Sequence, residues 1–311
     1  MSTPGTAHRH GTGAGGIVAS VIVPAFDAED TIAEQLDALA RQQVTVPWEV
    51  LVCDNGSQDR TAERAATFGA RLDLRIIDAS ARRGPAAARN IGAEHARGDL
   101  LLFCDADDMV ADGWLAAMLG ACGSGDVIAG PWELSRLNAM YGAGAVTPAT
   151  FSVAPLVGLR AAGAGNLGVP AAVFAELGGF EEALRVGEDV DLCWRAQIAG
   201  HAVVDAPGAL VHVRRPATVR GLFRQSFAYG RAERTLQHRW AAMARASHGW
   251  TEPSPAEAPR SGPGRRTLLS RVRQMGQPYA WQHAATVHGR RLGARLGRAD
   301  AGVPVMSEPL R

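Results

Sequence analysis

Short apolar runs alternate with amphipathic stretches through the first third of the chain. Residues 17–25, 48–53, 74–78 and 100–104 read as strands, and 31–43, 60–68 and 86–96 as the helices between them. Near-continuous apolar strands separated by helices predict an α/β domain, a Rossmann-like, mainly parallel sheet covered on both faces. Farther on, 126–134 predicts a strand, 171–177 a short helix ending at Gly178-Gly179, and 189–199 a stronger helix stopped by Gly200. Two short strands, 202–205 and 209–213, precede a long Arg-rich helix over 219–242. The Gly/Ala-rich span 142–168 has no clear period and reads as a loop over the site. Residues 1–16, rich in Gly, Thr and His, read as a disordered tail, and the Pro/Ser/Gly-rich 251–264 as a linker. The expected division is therefore a tail over 1–16, one large domain over 17–245, a linker over 246–264 and a basic helical tail over 265–311.

In a sheet of this kind ligands bind beyond the carboxyl ends of the strands. The notable polar residues fall there: Pro24 to Glu29 after the first strand, Asp54 to Asp59 after the second, Asp105 to Asp108 after the fourth. Asp105, Asp107 and Asp108 are close enough in sequence to repel one another, and a hard divalent cation such as Mg²⁺ or Mn²⁺ would relieve them. The competing reading is a solvated acidic turn with Asp108 or Asp112 capping the next helix. Gly56, Ser57, Asp59 and Thr61 are accounted for as a tight turn and helix cap. Asp54 is not, and its carboxylate can accept a hydrogen bond from a nucleobase N–H. Arg89 and Asn90 follow Gly84-Pro85 about a turn and a half into a helix, where Arg89 can reach a base or phosphate. Glu188, Asp189 and Asp191 open a helix, which suits its dipole. Three acids exceed what capping needs, so one of them suits a general base. Arg195, four residues after Asp191, predicts an ion pair on one helix face. His212, between two valines, is either a structural strand histidine or a further ligand of an Asp107 metal.

The net charge of +1 hides an asymmetry: 14 Arg against 26 acids before His212, and 18 Arg against 5 acids from there on, with no lysine anywhere. The C-terminal third therefore favours anionic partners. Leu268, Leu269, Val272 and Met275 form an apolar stripe flanked by Arg265, Arg266, Arg271 and Arg273, the pattern of a helix on an anionic membrane surface. Trp281, Leu292 and Leu296 extend it beyond Pro278; a helix docked to the protein body fits as well. Arginines interleaved with Phe223, Phe227 and Tyr229 raise a nucleic-acid reading, against which the acidic crevice speaks. The first strand ends in Pro24-Ala25-Phe26 and has no GxGxxG turn, which disfavours a dinucleotide oxidoreductase. Four scattered cysteines predict free thiols, Cys53, Cys104 and Cys193 buried. No leader and no stretch of about 20 apolar residues is evident, and a cytoplasmic location is expected.

Taken in order, Pro24 to Glu29, Asp54-Asn55-Gly56-Ser57 with Asp59, Ala88-Arg89-Asn90, Asp105-Ala106-Asp107, and Gly187-Glu188-Asp189 with Asp191, Leu192 and Arg195 resemble the motifs of family 2 glycosyltransferases. The resemblance covers about residues 17–240. It implies the GT-A fold, a nucleotide-sugar donor, a divalent metal (Mn²⁺ or Mg²⁺) and inversion at the anomeric carbon. By the same resemblance Pro24, Phe26 and Glu29 shape the nucleoside pocket and Asp54 bonds the base. Arg89 approaches the nucleotide, and Asp105 meets the ribose or donor sugar. Asp107 binds the metal, with His212 as a second ligand, while Asp189 is the base and Glu188 orients the acceptor. Asp27 stands where Asn is usual and Asn55 where a second Asp is common. The acceptor expected is a glycan or lipid-linked hydroxyl, reached from the inner face of the plasma membrane. The alternative is a non-catalytic nucleotide-sugar-binding or scaffolding protein on the same fold, against which the presence of both Asp107 and Asp189 argues.

Overall fold

The computed structural model describes residues 16–123, 126–139, 144–246, 278–296 and 302–306. Three βα units build the first half. Strand β1 (Ala19–Ala25) leads to helix α1 (Ile32–Ala40), β2 (Trp48–Asp54) to α2 (Thr61–Ala66), and β3 (Leu74–Asp78) to α3 (Pro85–His95). Strand β4 (Leu100–Cys104) follows, buried at every position, as its unbroken apolar run requires. A two-residue strand β5 (Met109–Val110) and helix α4 (Trp114–Ala121) come next.

The span expected as one strand over 126–134 is two, because Gly130-Pro131 interrupts it. Strand β6 (Val127–Ala129) stays in the main sheet, while β7 (Trp132–Glu133) crosses into a second, small sheet. The expected loop over 142–168 holds β8 (Val146–Thr147) and the start of β9 (Asn166–Pro170). Helices α5 (Ala171–Glu176) and α6 (Glu188–Ile198) and strands β10 (Val203–Asp205) and β11 (Val211–His212) lead to the long helix α7 (Val219–Ala246). Helix α8 (Pro278–Leu296) closes the set.

The main sheet runs β10-β6-β9-β4-β1-β2-β3, and the small one β5-β11-β7-β8. Pairings β1–β2, β1–β4, β2–β3 and β6–β10 are parallel, whereas β9 lies antiparallel between β4 and β6. The expected mainly parallel α/β sheet is therefore present, with one antiparallel strand at its centre. One core packs α1, α2 and α4 on one face of the sheet, and another packs α3, α5 and α6 on the other. Phe103 anchors the second against Phe174 and Phe180, with ring centroids 5.5 and 5.2 Å away. Cys53, Cys104 and Cys193 are buried free thiols and Cys122 is exposed, as expected.

The first 15 residues, the expected linker over 246–264 beyond Ala246, and the apolar-basic stripe over 265–277 lie outside the described residues. Helix α8 leaves Leu292 and Leu296, expected to extend that stripe, exposed. It packs along α7: a Cβ at Gly289 would sit 2.6 Å from Phe223 O, and one at Gly293 2.0 Å from Phe227 O. Contacts advance together along both helices, so the two run parallel.

Candidate active site

A cavity of about 780 Å³ opens beyond the carboxyl ends of β1, β2 and β4. Pro24, Phe26, Arg89, Asp105 and Asp107 line it, as the sequence suggested. Phe26 is 57% exposed, so its ring stands free to take a planar base. Glu29 and Asp54 do not line the cavity. Glu29 accepts hydrogen bonds from the Arg60 backbone N–H (3.1 Å) and Nε (2.9 Å), fixing the start of α2 to the β1 loop. Asp54 Oδ1 accepts from the backbone N–H and hydroxyl of Ser57, at 2.9 and 2.6 Å, closing the turn after β2. Asn55 lines the cavity instead. Its Nδ2 donates to Ala79 O and Arg82 O while Oδ1 accepts from Gly84 N–H. An Asp could not make the two donations, which explains the amide here. Asp27 takes a positive φ of 45°, a conformation Asn and Asp tolerate best, and its Oδ1 accepts from Gln58 N–H.

The carboxylates of Asp105, Asp107 and Asp108 each offer an oxygen within 4.8 Å of the others. The reading of this segment as a solvated capping turn fails, because Asp108 is 3% exposed and accepts from Arg214 N–H at 2.7 Å. Desolvation and then the charge of Asp105 push Asp107 up to about 6. Desolvation and both neighbouring acids raise Asp108 well above the carboxylate range. Such strained oxygens suit a hard divalent cation. His212 is not among the three. It is the strand partner of Met109, and its Nδ1 lies 2.8 Å from Glu133 Oε2. Desolvation would raise Glu133, but hydrogen bonds from Ser135, His212 and the Arg136 backbone hold it down at about 2.

Arg89 departs most from expectation. It is 4% exposed, and its guanidinium joins two acids: Nη2 donates to Asp105 Oδ1 at 2.6 Å and Nη1 to Glu188 Oε1 at 2.9 Å. A buried guanidinium requires such partners, so these two bonds are not open to a phosphate. Beyond Glu188, Asp189 is half-buried; Oδ2 accepts from Ala164 N–H at 3.1 Å and Oδ1 from Val190 N–H at 2.8 Å. Desolvation raises Asp189. Desolvation and the Asp189 charge, opposed by Arg89, push Glu188 up to about 7. Asp191 plays a different part. Fully buried, it accepts from Arg195 Nε (2.7 Å), Arg239 Nε (2.6 Å) and Trp240 Nε1 (2.9 Å), pinning α6 to α7.

Two cationic cavity residues, Arg83 and Arg214, escaped sequence reasoning. Arg214 Nε donates to Asp107 O and its Nη2 to Glu34. Its signal was its place two residues after His212, obscured among the arginines that follow.

Residues 20–134 match the family model Glycosyl transferase family 2. Glycosyltransferase AglE of Haloferax volcanii is 32% identical over 223 residues, 69% of this chain and 72% of that protein. Escherichia coli WfgD, a UDP-Glc:α-D-GlcNAc-diphosphoundecaprenol β-1,3-glucosyltransferase, is 32% identical over 32% of this chain and 37% of its own. Against curated relatives from Bacillus subtilis and Mycobacterium tuberculosis the chain spans only 26 and 41% of their length. Among solved structures, mannosyltransferase PcManGT of Pyrobaculum calidifontis, in complex with GDP-Man and Mn²⁺, superposes with a TM-score of 0.55 over 90% of this chain and 76% of that one. It is 20% identical, a likeness of fold, and that fold is GT-A. With residues 20–134 matched by the family model and AglE matched over most of its length, the chain belongs to glycosyltransferase family 2.

Proposed function

We propose that the protein is an inverting, metal-dependent glycosyltransferase that moves a sugar from a nucleotide-diphosphate donor to a hydroxyl acceptor, with Asp189 as general base. The observation that carries this reading is the Arg89 bridge. One buried side chain touches Asp105, in the three-acid cluster, and Glu188, the neighbour of Asp189. That bridge supports reading the two acid sets as the two sides of one reaction centre. Phe26, Pro24 and Asn55 bound the nucleoside end, and Asp54, just outside that lining, shapes it by holding the turn at Ser57. Asp107 with Asp105 and Asp108 would hold Mn²⁺ or Mg²⁺. Bound there, the cation neutralises charge on the departing diphosphate. His212, braced by Glu133 as metal-ligating histidines are braced by carboxylates, is a further ligand within the same reading.

On the opposite side, Asp189 takes the acceptor proton, its carboxylate oriented by the Ala164 and Val190 N–H groups, while Glu188 positions the acceptor. A single in-line displacement inverts the anomeric centre. The neighbour bound to GDP-Man and Mn²⁺ supports a nucleotide-sugar donor and a metal; the Escherichia coli relative's printed substrate supports a lipid-linked acceptor. Such an acceptor places the work at the cytoplasmic face of the plasma membrane. The test is Asp189→Asn. It is expected to abolish transfer, a loss of at least about 10³-fold, while UDP or GDP with Mn²⁺ stabilises the variant against heat as it does the native protein. Surviving turnover removes Asp189 from the role.

A further inference from the structure

Helix α7 passes α6 in a defined register. Trp240 meets Asp191 and lies perpendicular to Trp194, ring centroids 5.8 Å apart. A turn or two earlier, Leu236 and Ala232 pack on Gly187, whose Cβ would lie 3.1 Å from Leu236 Cδ1 and 3.8 Å from Ala232 Cβ. Gln225, Tyr229, Ala232, Leu236 and Trp240 share one helical face. The next turn back from Ala232 therefore carries Tyr229 past Gly187, at the start of α6 that Glu188 and Asp189 open. Consistent with that placement, burial and then the charges of Asp189, Asp105 and Glu188 push the Tyr229 phenol up, against the pull of Arg215.

Arg215 completes the corner. Its backbone N–H donates to Asn138 Oδ1 at 2.7 Å, and its Nη1 to Gln225 Oε1 at 3.3 Å. Its Nε is buried without a hydrogen-bond partner, and its charge is felt by Asp108 with no hydrogen bond between the two. The adjacent arginines divide the cleft: Arg214 lines the donor cavity and Arg215 does not. A guanidinium with a free Nε, bonded to Gln225 of the helix that packs on the start of α6, has donors left for an anion.

We propose that Arg215, with Tyr229 and Gln225 of α7, forms an acceptor subsite that takes a phosphate carried by the acceptor. A guanidinium fork flanked by a phenol and an amide matches the several oxygens of phosphate. The inference rests on the reading of Asp189 as the base, because that reading makes this the acceptor side.

The test needs no turnover. Geranyl phosphate and ribitol 5-phosphate, with geraniol, ribitol and glucuronate as controls, are titrated calorimetrically into the full chain saturated with Mn²⁺ and UDP or GDP. The phosphate probes are expected to bind and the controls not. Arg215→Gln should weaken them roughly 10- to 100-fold, the worth of a charge-assisted hydrogen bond, with Arg215→Lys intermediate and Tyr229→Phe costing about 3- to 10-fold. Nucleotide affinity and thermal midpoint should stay as in the native chain. Tighter geranyl phosphate points to a lipid-borne phosphate, and tighter ribitol phosphate to a polyol-borne one. Equal affinity in Arg215→Gln, glucuronate binding as well as the phosphates, or a loss of nucleotide affinity overturns the proposal. Turnover by Asp189→Asn would overturn the base instead and leave these binding results to stand.

Discussion

Arg89 ties together residues 16 and 99 positions away, and for that reason its role was not legible in the sequence. Residue type and spacing exposed Asp107 and Asp189, because clustered acids at a strand end and at a helix start each ask for an explanation. They could not show that Glu29 and Asp54 are engaged by Arg60 and Ser57, since those partners read equally well as turn and cap. The energetics of the acid pair yield a pH dependence. Desolvation raises Asp189, and the Asp189 charge adds to desolvation in raising Glu188 to about 7. A raised carboxyl keeps its proton to higher pH, so the Asp189 base is lost as pH falls while still above the ordinary carboxylate range. The acceptor kcat/KM should therefore rise with pH along a limb above the ordinary carboxylate range. Glu188→Gln removes one of the two like charges and should move the limb to lower pH. A limb near 4 in the native protein would mean that neither acid of the pair governs the rate.

At the scale of elements, the four parallel strands of the first half were readable because each is an apolar run bounded by turn residues. Strand β9 was not. Asn166-Leu167-Gly168-Val169-Pro170 carries a Gly and a Pro that argue against a strand, and Gly168 is demanded by packing: a Cβ there would lie 3.0 Å from Leu102 Cδ2 and 3.3 Å from Ile128 Cβ. Tertiary fit overrode β-propensity at the centre of the sheet. The α7–α8 pair follows the same logic. Gly230, Gly289 and Gly293 let the two backbones approach, and the Glu233–Arg290 ion pair and Arg234 bonds to Ala294 O and Arg295 O flank the contact. Glycine inside a helix ordinarily costs about 1 kcal/mol against alanine. Gly120 in α4 has nothing within 4 Å of its Cβ position, so Gly120→Ala should stabilise by up to that amount. At Gly293 the added methyl would fall 2.0 Å from Phe227 O, and Gly293→Ala should destabilise by about 1–3 kcal/mol. Urea unfolding of the two variants beside the native chain checks the opposite signs; stabilisation by both would mean that α8 does not lie against α7.

Across the whole molecule, an acidic catalytic half is joined to a basic C-terminal third, and the two are interlocked. Arg239 of α7 bonds Asp191 of α6 and also donates to Pro304 O at 2.8 Å, while Val303 and Met306 pack around Trp240. Removing the C-terminal tail would therefore disturb the helix that carries Asp189, and a truncated protein could not separate membrane affinity from damage to the site. Among the described residues no helix is long and apolar enough to cross a membrane. With α8 turned toward α7, surface binding falls to the stripe over 265–277 and its arginines. Charge reversal is the cleaner probe. The native chain should sediment with vesicles containing anionic phosphatidylglycerol and stay free of neutral phosphatidylcholine ones. Replacing Arg265, Arg266, Arg271 and Arg273 by Glu should release it, because each basic residue near such a surface contributes roughly 1 kcal/mol. Nucleotide binding measured alongside should stay at the native level if the four arginines serve the membrane alone. Vesicle binding that survives the four reversals would move the contact to the arginines of α7, beside the acceptor subsite itself.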